Sequence, residues 1–222
     1  MVKIVYEDEN IIAVNKPPGI VVFHEEQKDT EEKSLSVLLA DSFPSIKGVG
    51  GGRNGAVHRL DKNTSGLILF AKDEKALAFL QKELLEQRAK KRYITLVFKV
   101  MKKDEGEIRT FIDRSPGDRR KQRADKDKGK REAITFFRVI KRFNNHSLLE
   151  IWPKTGRKHQ IRCHLSYIGH PVAGDSLYGF KDQKDPLDLK RHFLHAQSIE
   201  IGGKIFSTPL APDLQEVLDK LI

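Results

Sequence analysis

Cysteine is almost missing from this chain: Cys163 stands alone among 222 residues. No intramolecular disulfide can form, and a reducing cytoplasm fits such a composition. Long apolar runs are missing too. None reaches the roughly 20 residues needed to span a bilayer, and the opening "MVKIVYEDEN" lacks the charged-then-apolar pattern of a secretion signal. A soluble, cytoplasmic protein with no membrane partner is expected. Acidic residues are in deficit, 31 against 41 lysines and arginines, which leaves a formal charge of +10. A globular chain this basic usually meets a polyanion, most often nucleic acid, although a general solubility charge would look the same. Hydrophobic residues make up 38% and recur from Val2 to Leu221, which argues against disorder.

Local patterns suggest an α+β chain. "VKIVYEDENIIAVNKPPG" reads as two short strands around an acidic turn, closed by Pro17, Pro18 and Gly19. "SLSVLLADSF" reads as a helix with Ser34 placed to cap it. The glycine-rich "PSIKGVGGGRNG" reads as a flexible loop leading to His58, and "LILFA" as a buried strand. Leu77, Leu80 and Leu84 form one stripe of an amphipathic helix. "RYITLVFKV", "GEIRTFI", "EAITFFRVIKRF" and "HSLLEIWP" read as strands, the last two joined across Asn144 and Asn145. Ile161, Leu165 and Ile168 have helical spacing, with Gly169 as the stop. "HFLHAQSIEI" and "KIFSTPL" supply two strands around a Gly202-Gly203 turn, and a short helix follows from Pro212. Many strands in meanders with helices inserted singly predict a mixed, largely antiparallel sheet in two halves around a basic cleft, within a single domain over 1–222. The segment 114–131 is strongly basic without apolar period, so it is expected to be a mobile loop that tracks phosphates or only solvates a hairpin tip.

Against this scaffold, "HRLDKNTSG" at 58–66 is out of place. Asn63, Thr64 and Ser65 are short polar residues that bond local backbone, and Gly66 permits an unusual backbone angle. Together they describe a rigid turn feeding a strand, a platform for the Asp61 carboxylate.

The stretch resembles the active-site signature of RNA pseudouridine synthases, in the large branch that carries histidine at its first position. "DENIIAVNKPPGIVV" is similar to that family's N-terminal motif, "KRYITLVF" to its tyrosine-bearing strand, and "TGRKHQIRCHLSYIGHPVAGDSLYG" followed by "FLHA" to its C-terminal motif. The resemblance implies a catalytic aspartate at Asp61, a tyrosine packing on the target uracil at Tyr93, and a basic residue pairing with the catalytic carboxylate at Arg162. It implies that Arg59 fills the gap left by the departing nucleotide, where a phosphate contact is the alternative. His58, Thr64, Arg157, His159 and Gln160, in the same motifs, are expected to bind substrate. The opening begins at residue 2, so no small RNA-binding module is expected ahead of it. The strand ending "FKVMKK" lacks the glycine common there in the family, which leaves the local loop geometry open.

These roles suit uridine isomerisation: the N1 glycosidic bond breaks, the base turns, and C5 rejoins the sugar. The target must leave its stack first. An ionised carboxylate serves as nucleophile or as base, and a neighbouring arginine keeps it charged. No metal or other cofactor is required, and no second subunit, so a monomer acting on tRNA or an rRNA stem-loop is expected. His159 and His164 are five apart and do not share a helix face as a metal pair would. Two other classes compete: a non-catalytic RNA-binding protein on the same fold, and a hydrolase using Asp61 with histidines. The first has little reason to retain Asp61, and the second leaves the C-terminal motif unexplained.

Overall fold

A computed structural model describes residues 2–24, 32–180 and 187–221. The chain divides into two units, one of Met1–Lys90 with Ala196–Ala211 and one of Lys91–His195 with Pro212–Ile222.

In the first unit, β1 (Lys3–Glu7) and β2 (Ile11–Lys16) form the expected hairpin around the acidic turn. Asp8 closes it by accepting the Asn10 and Ile11 N–H groups at 2.8 and 2.7 Å. After β2 comes α1 (Leu35–Ser42). Ser34 stands at its N-terminus but makes no capping bond; its hydroxyl meets that of Ser36 at 3.2 Å. The glycine-rich segment holds two 3-10 turns, Pro44–Ile46 and Gly51–Arg53. Ile46 and Val49 are buried, and the Asn54 and Glu74 side chains accept the Gly48 and Gly50 N–H groups, so this segment is built rather than loose.

β3 (Ser65–Ala71) is buried throughout and runs antiparallel to β2, with Lys16 opposite Gly66. Asp73 caps α2 (Glu74–Leu85) through the Ala76 N–H at 2.7 Å. Alternate residues of β2 and β3 (Ile11, Ala13, Leu67, Leu69) meet Leu77 and Leu80 of α2. β9 (Leu194–Ile201) and β10 (Lys204–Ser207) complete that core with Ile199, Ile201 and Phe206. Gly202 and Gly203 turn between them at φ +57° and +74°, the conformation a two-residue hairpin loop demands.

In the second unit, β4 (Lys90–Phe98), β8 (His146–Pro153), β7 (Glu132–Arg142), β5 (Glu105–Arg114) and β6 (Gln122–Asp125) lie side by side in that order, all pairs antiparallel. α3 (Gln160–Tyr167) packs on this sheet and ends at Gly169, φ +82°, as its sequence predicts. α4 (Pro212–Asp219) follows later in the chain. One expectation is corrected here. The basic segment 114–131 is not loop throughout: Gln122–Asp125 is strand β6, in register with Phe111–Arg114 of β5.

Candidate active site

The Asp61 loop is a tight turn held from below. The Thr64 N–H closes it on the Asp61 carbonyl at 3.0 Å. The next carbonyl, that of Lys62, accepts the Gly19 N–H at 2.9 Å and the Lys16 ammonium at 2.9 Å. Lys16 is fully buried and also donates to the Pro17 and Ile20 carbonyls at 2.9 and 2.8 Å. The "NKPPG" turn thus clamps the backbone beside Asp61. Gly66 ends the loop at φ +115°, and a Cβ there would lie 2.2 Å from the Ala196 carbonyl oxygen. Only glycine meets both conditions.

Side chains around Asp61 divide by burial. Thr64 and Ser65 are buried, Asp61 is half-buried, and Arg59 is exposed. Arg59 sits over the Phe23 ring at 5.5 Å, with Arg53 on the same ring at 5.2 Å. His58 accepts the Leu69 N–H at Nε2, 3.4 Å, which puts the ring proton of a neutral imidazole on Nδ1.

In the second unit Arg162 is buried on α3. Its Nε and Nη2 donate to Asp175 at 2.6 and 2.9 Å, a two-point pair. Asp175 also accepts the Leu177 and Tyr178 N–H groups at 2.9 and 3.0 Å. Burial pushes its carboxyl upward; the Arg162 bonds and charge, the His192 charge and the Tyr178 N–H outweigh that and hold it below the ordinary range. The guanidinium lies 5.1 Å from the Tyr178 ring centre. Tyr93 is buried in β4, opposite Ile151 of β8.

His159 stands just ahead of α3 at φ +54°, its Nδ1 3.1 Å from the Tyr178 hydroxyl. Arg157 donates through Nε to the Glu132 carbonyl at 3.1 Å. Gln160 is buried, and its amide is committed inside the protein. Its oxygen accepts from Thr155 and the Arg157 N–H, and its nitrogen donates to Ile134 and Thr135. All four amide positions are taken, so this side chain offers RNA no open donor or acceptor.

Sequence reasoning passed over Lys16, Asp175 and Tyr178. Each lay inside a quoted motif, but a lysine between asparagine and proline reads as solvent-facing, and Asp175 reads as a turn residue. Their signal was adjacency to the functional segments. The remaining candidates of chemical type are structural. Cys163 is buried with its thiol pushed up to about 11, far from a nucleophile's range. His164 is fully buried between the Thr110 and Thr135 hydroxyls at 3.0 and 2.9 Å, and burial lowers it to about 4. Among the described residues no group of His, Cys, Asp and Glu could hold a metal ion, and no helix is long and apolar enough to cross a membrane.

A family model for RNA pseudouridylate synthases matches residues 10–167, which include the Asp61 loop, Tyr93 and Arg162. The chain belongs to this family. It is 40% identical over 215 residues to an uncharacterized RNA pseudouridine synthase of Synechocystis, covering 94% of this chain and 64% of the relative. It is 38% identical over 206 residues to ribosomal large subunit pseudouridine synthase D of Borreliella burgdorferi, covering 90% and 61%. An RNA pseudouridine synthase of Bacillus subtilis is 36% identical over 225 residues, covering 98% and 72%. The chain thus spans about three-fifths of the length of the first two. The solved structure of human RNA pseudouridylate synthase domain containing 1 shares the fold, with a TM-score of 0.78 at 24% identity, covering 98% of this chain and 87% of that one.

Proposed function

We propose that this chain isomerises specific uridines to pseudouridine in structured RNA, with Asp61 as the essential carboxylate. The observation that carries the reading is the clamped turn: a buried lysine and a glycine N–H fix the Lys62 carbonyl, and so the backbone that presents Asp61. A functional carboxylate must be held close to its productive geometry by groups that are themselves locked.

In this reading the target nucleotide leaves its stack, and Arg59, exposed beside Asp61, takes its place or contacts the adjoining phosphate. Tyr93 offers the uracil a flat face. Asp61 attacks C1′ or removes the C2′ proton, the N1–C1′ bond breaks with its electron pair left on the uracil, and the base turns in place. C5 then bonds to C1′, which expels Asp61 or is followed by return of the proton to C2′. The C5 proton is lost to water while N1 ends protonated. Arg162, whose orientation Asp175 fixes, serves as the basic partner of the catalytic carboxylate. His58, Thr64, Arg157 and His159 serve substrate binding. No cofactor takes part, because the base is neither oxidised nor released. The chain acts as a cytoplasmic monomer on RNA, its two units working as one catalytic domain. The large-subunit name of the Borreliella burgdorferi relative favours an rRNA stem-loop over tRNA.

The deciding experiment maps pseudouridine at single-nucleotide resolution in total RNA from cells lacking the gene, complemented with wild type or Asp61→Ala. Loss of one or a few sites, restored only by wild type, is the expected result. Rescue by Asp61→Ala would overturn the role given to that carboxylate, and an unchanged map would overturn the activity.

A further inference from the structure

The basic hairpin formed by β5 and β6 is an ordered object with a division of labour between its charges. Residues 114–131 hold nine lysines and arginines against three aspartates. Asp118 and Asp125 shape its turns and also pair with Arg120 and Arg123. Asp118 accepts the Arg120 N–H at 3.0 Å, Asp125 accepts those of Asp127 and Lys128 at 3.1 Å, and Asp113, just outside, accepts that of Lys130 at 2.8 Å. Arg119, Lys126, Lys128 and Lys130 are exposed and make no ion pair among the described residues. A hairpin needed only for solubility has no use for acids that fix its turns and leave these four cations facing outward.

The hairpin is also tied to the helix that carries Arg162. Gln122, the first residue of β6, is buried; its N–H donates to the Tyr178 hydroxyl at 2.7 Å, and its carbonyl accepts the Cys163 thiol at 3.5 Å. Having accepted from Gln122, that hydroxyl has its own proton to give to His159 Nδ1 at 3.1 Å. The ring of the same tyrosine lies against the Arg162 guanidinium, and its N–H meets Asp175.

We propose that the β5–β6 hairpin is a preordered arm that docks on the phosphate backbone of RNA, and that Tyr178 is a positioning residue that couples the arm to Arg162 and His159. The arm binds without reading bases: isolated cations on a fixed ribbon match a row of phosphates. The coupling half rests on the isomerase reading given above; the docking half does not.

The test uses the whole chain and unmodified large-subunit rRNA transcribed in vitro, with affinity measured across a salt series. Replacing Arg119, Lys126, Lys128 and Lys130 together by alanine is expected to weaken binding and flatten the salt dependence, by about 0.7–0.9 in log–log slope for each phosphate no longer neutralised. Unchanged affinity and slope would overturn the arm. Tyr178→Phe keeps the ring on Arg162 and removes only the hydroxyl. It is expected to lower kcat and raise KM for RNA, while the salt slope stays near wild type; wild-type kcat and KM would overturn the coupling. Amide exchange on the wild-type protein supplies a readout that no folding defect can confuse. RNA should slow exchange across 119–130 and at the start of α3, and an unaffected hairpin would again overturn the arm. A wild type that binds RNA with a steep salt slope yet forms no pseudouridine in any RNA would sink the isomerase reading and leave the arm standing.

Discussion

Lys16 and Lys62 meet through one hydrogen bond, the buried ammonium of the first donating to the carbonyl of the second at 2.9 Å. The two residues are 46 positions apart, yet this bond places the backbone next to Asp61. Lys16→Met keeps the bulk of the side chain and removes the donor that the Pro17, Ile20 and Lys62 carbonyls share, of which that of Lys62 keeps the Gly19 N–H. A loss of about 1–3 kcal/mol of stability is expected, the range for removing one partner of a hydrogen-bonded group. Denaturant titration measures it. In the folded variant kcat should fall more than KM rises, since the chemistry feels the loosened turn. A variant as stable and as active as wild type would show that the clamp is ornamental.

Asp175 supports Arg162 in a comparable way. Asp175→Asn preserves shape but turns an amide NH₂ toward groups that are all donors. Breaking a buried pair in this manner costs about 3–5 kcal/mol. Turnover should drop about tenfold to a hundredfold, the equivalent of about 1.4–2.7 kcal/mol in the barrier. RNA affinity, read by direct titration, should change little. A large loss of affinity with kcat preserved would relocate Arg162 from the chemistry to the binding face.

His164 gives a pH signature. Its folded value, about 4, lies below the ordinary 6.5 because of burial. Below pH 6.5 the unfolded chain takes up a proton that the folded chain refuses. The stability it contributes is therefore complete above pH 6.5 and is lost as pH falls toward 4. Between pH 7 and 5 this amounts to about 2 kcal/mol. Chemical denaturation at the two pH values should show that drop in wild type, and His164→Asn, although less stable overall, should show much less of it. Equal drops in the two proteins would assign the acid sensitivity elsewhere.

Lys99 occupies the left-handed region at φ +65°, at the strand end where the family's common glycine is missing. A non-glycine residue there costs roughly 1–2 kcal/mol. Its ammonium lies 4.7 Å from the Phe180 ring centre, which returns about 0.5–1 kcal/mol. Lys99→Gly should accordingly raise stability by about 0–1.5 kcal/mol, while Lys99→Val, β-branched, should lower it by about 2 kcal/mol. Thermal melts of the two variants check the order, and a well-tolerated valine would contradict the strain.

Much of this fold is legible in the residues because its signals are local. The short apolar runs in Ile11–Lys16 and in His146–Pro153, the leucine stripe of α2 and the paired glycines at 202 and 203 each declare an element within a short window. The Asp61 turn is legible for the same reason. What escapes notice depends on distant partners. β6 offers only Gln122 and Ala124 as an inward face, too weak a pattern to read, and its anchor is Tyr178, 56 residues on. Ser34 has the identity and place of a cap, but nearby Ser36 competes for its hydroxyl. Lys16 reads as a surface cation until three carbonyls are seen to converge on it. Gln160 has the right motif for RNA contact, and the Thr155–Arg157 turn and β7 claim its amide first.

The first unit takes two strands from far along the chain: Ile199, Ile201 and Phe206 finish a core begun by Ile11 and Leu67. A nascent polypeptide leaving the ribosome therefore carries the Asp61 signature long before the protein can support it. For well over a hundred residues of elongation, β3 waits without the strand whose backbone demands glycine at position 66. Apolar faces of β2, β3 and α2 stay uncovered for that interval, open to chaperones or to misassembly. The Asp61 loop gains its final surroundings late, and a chain stalled before residue 206 holds that aspartate on a core still missing one of its strands.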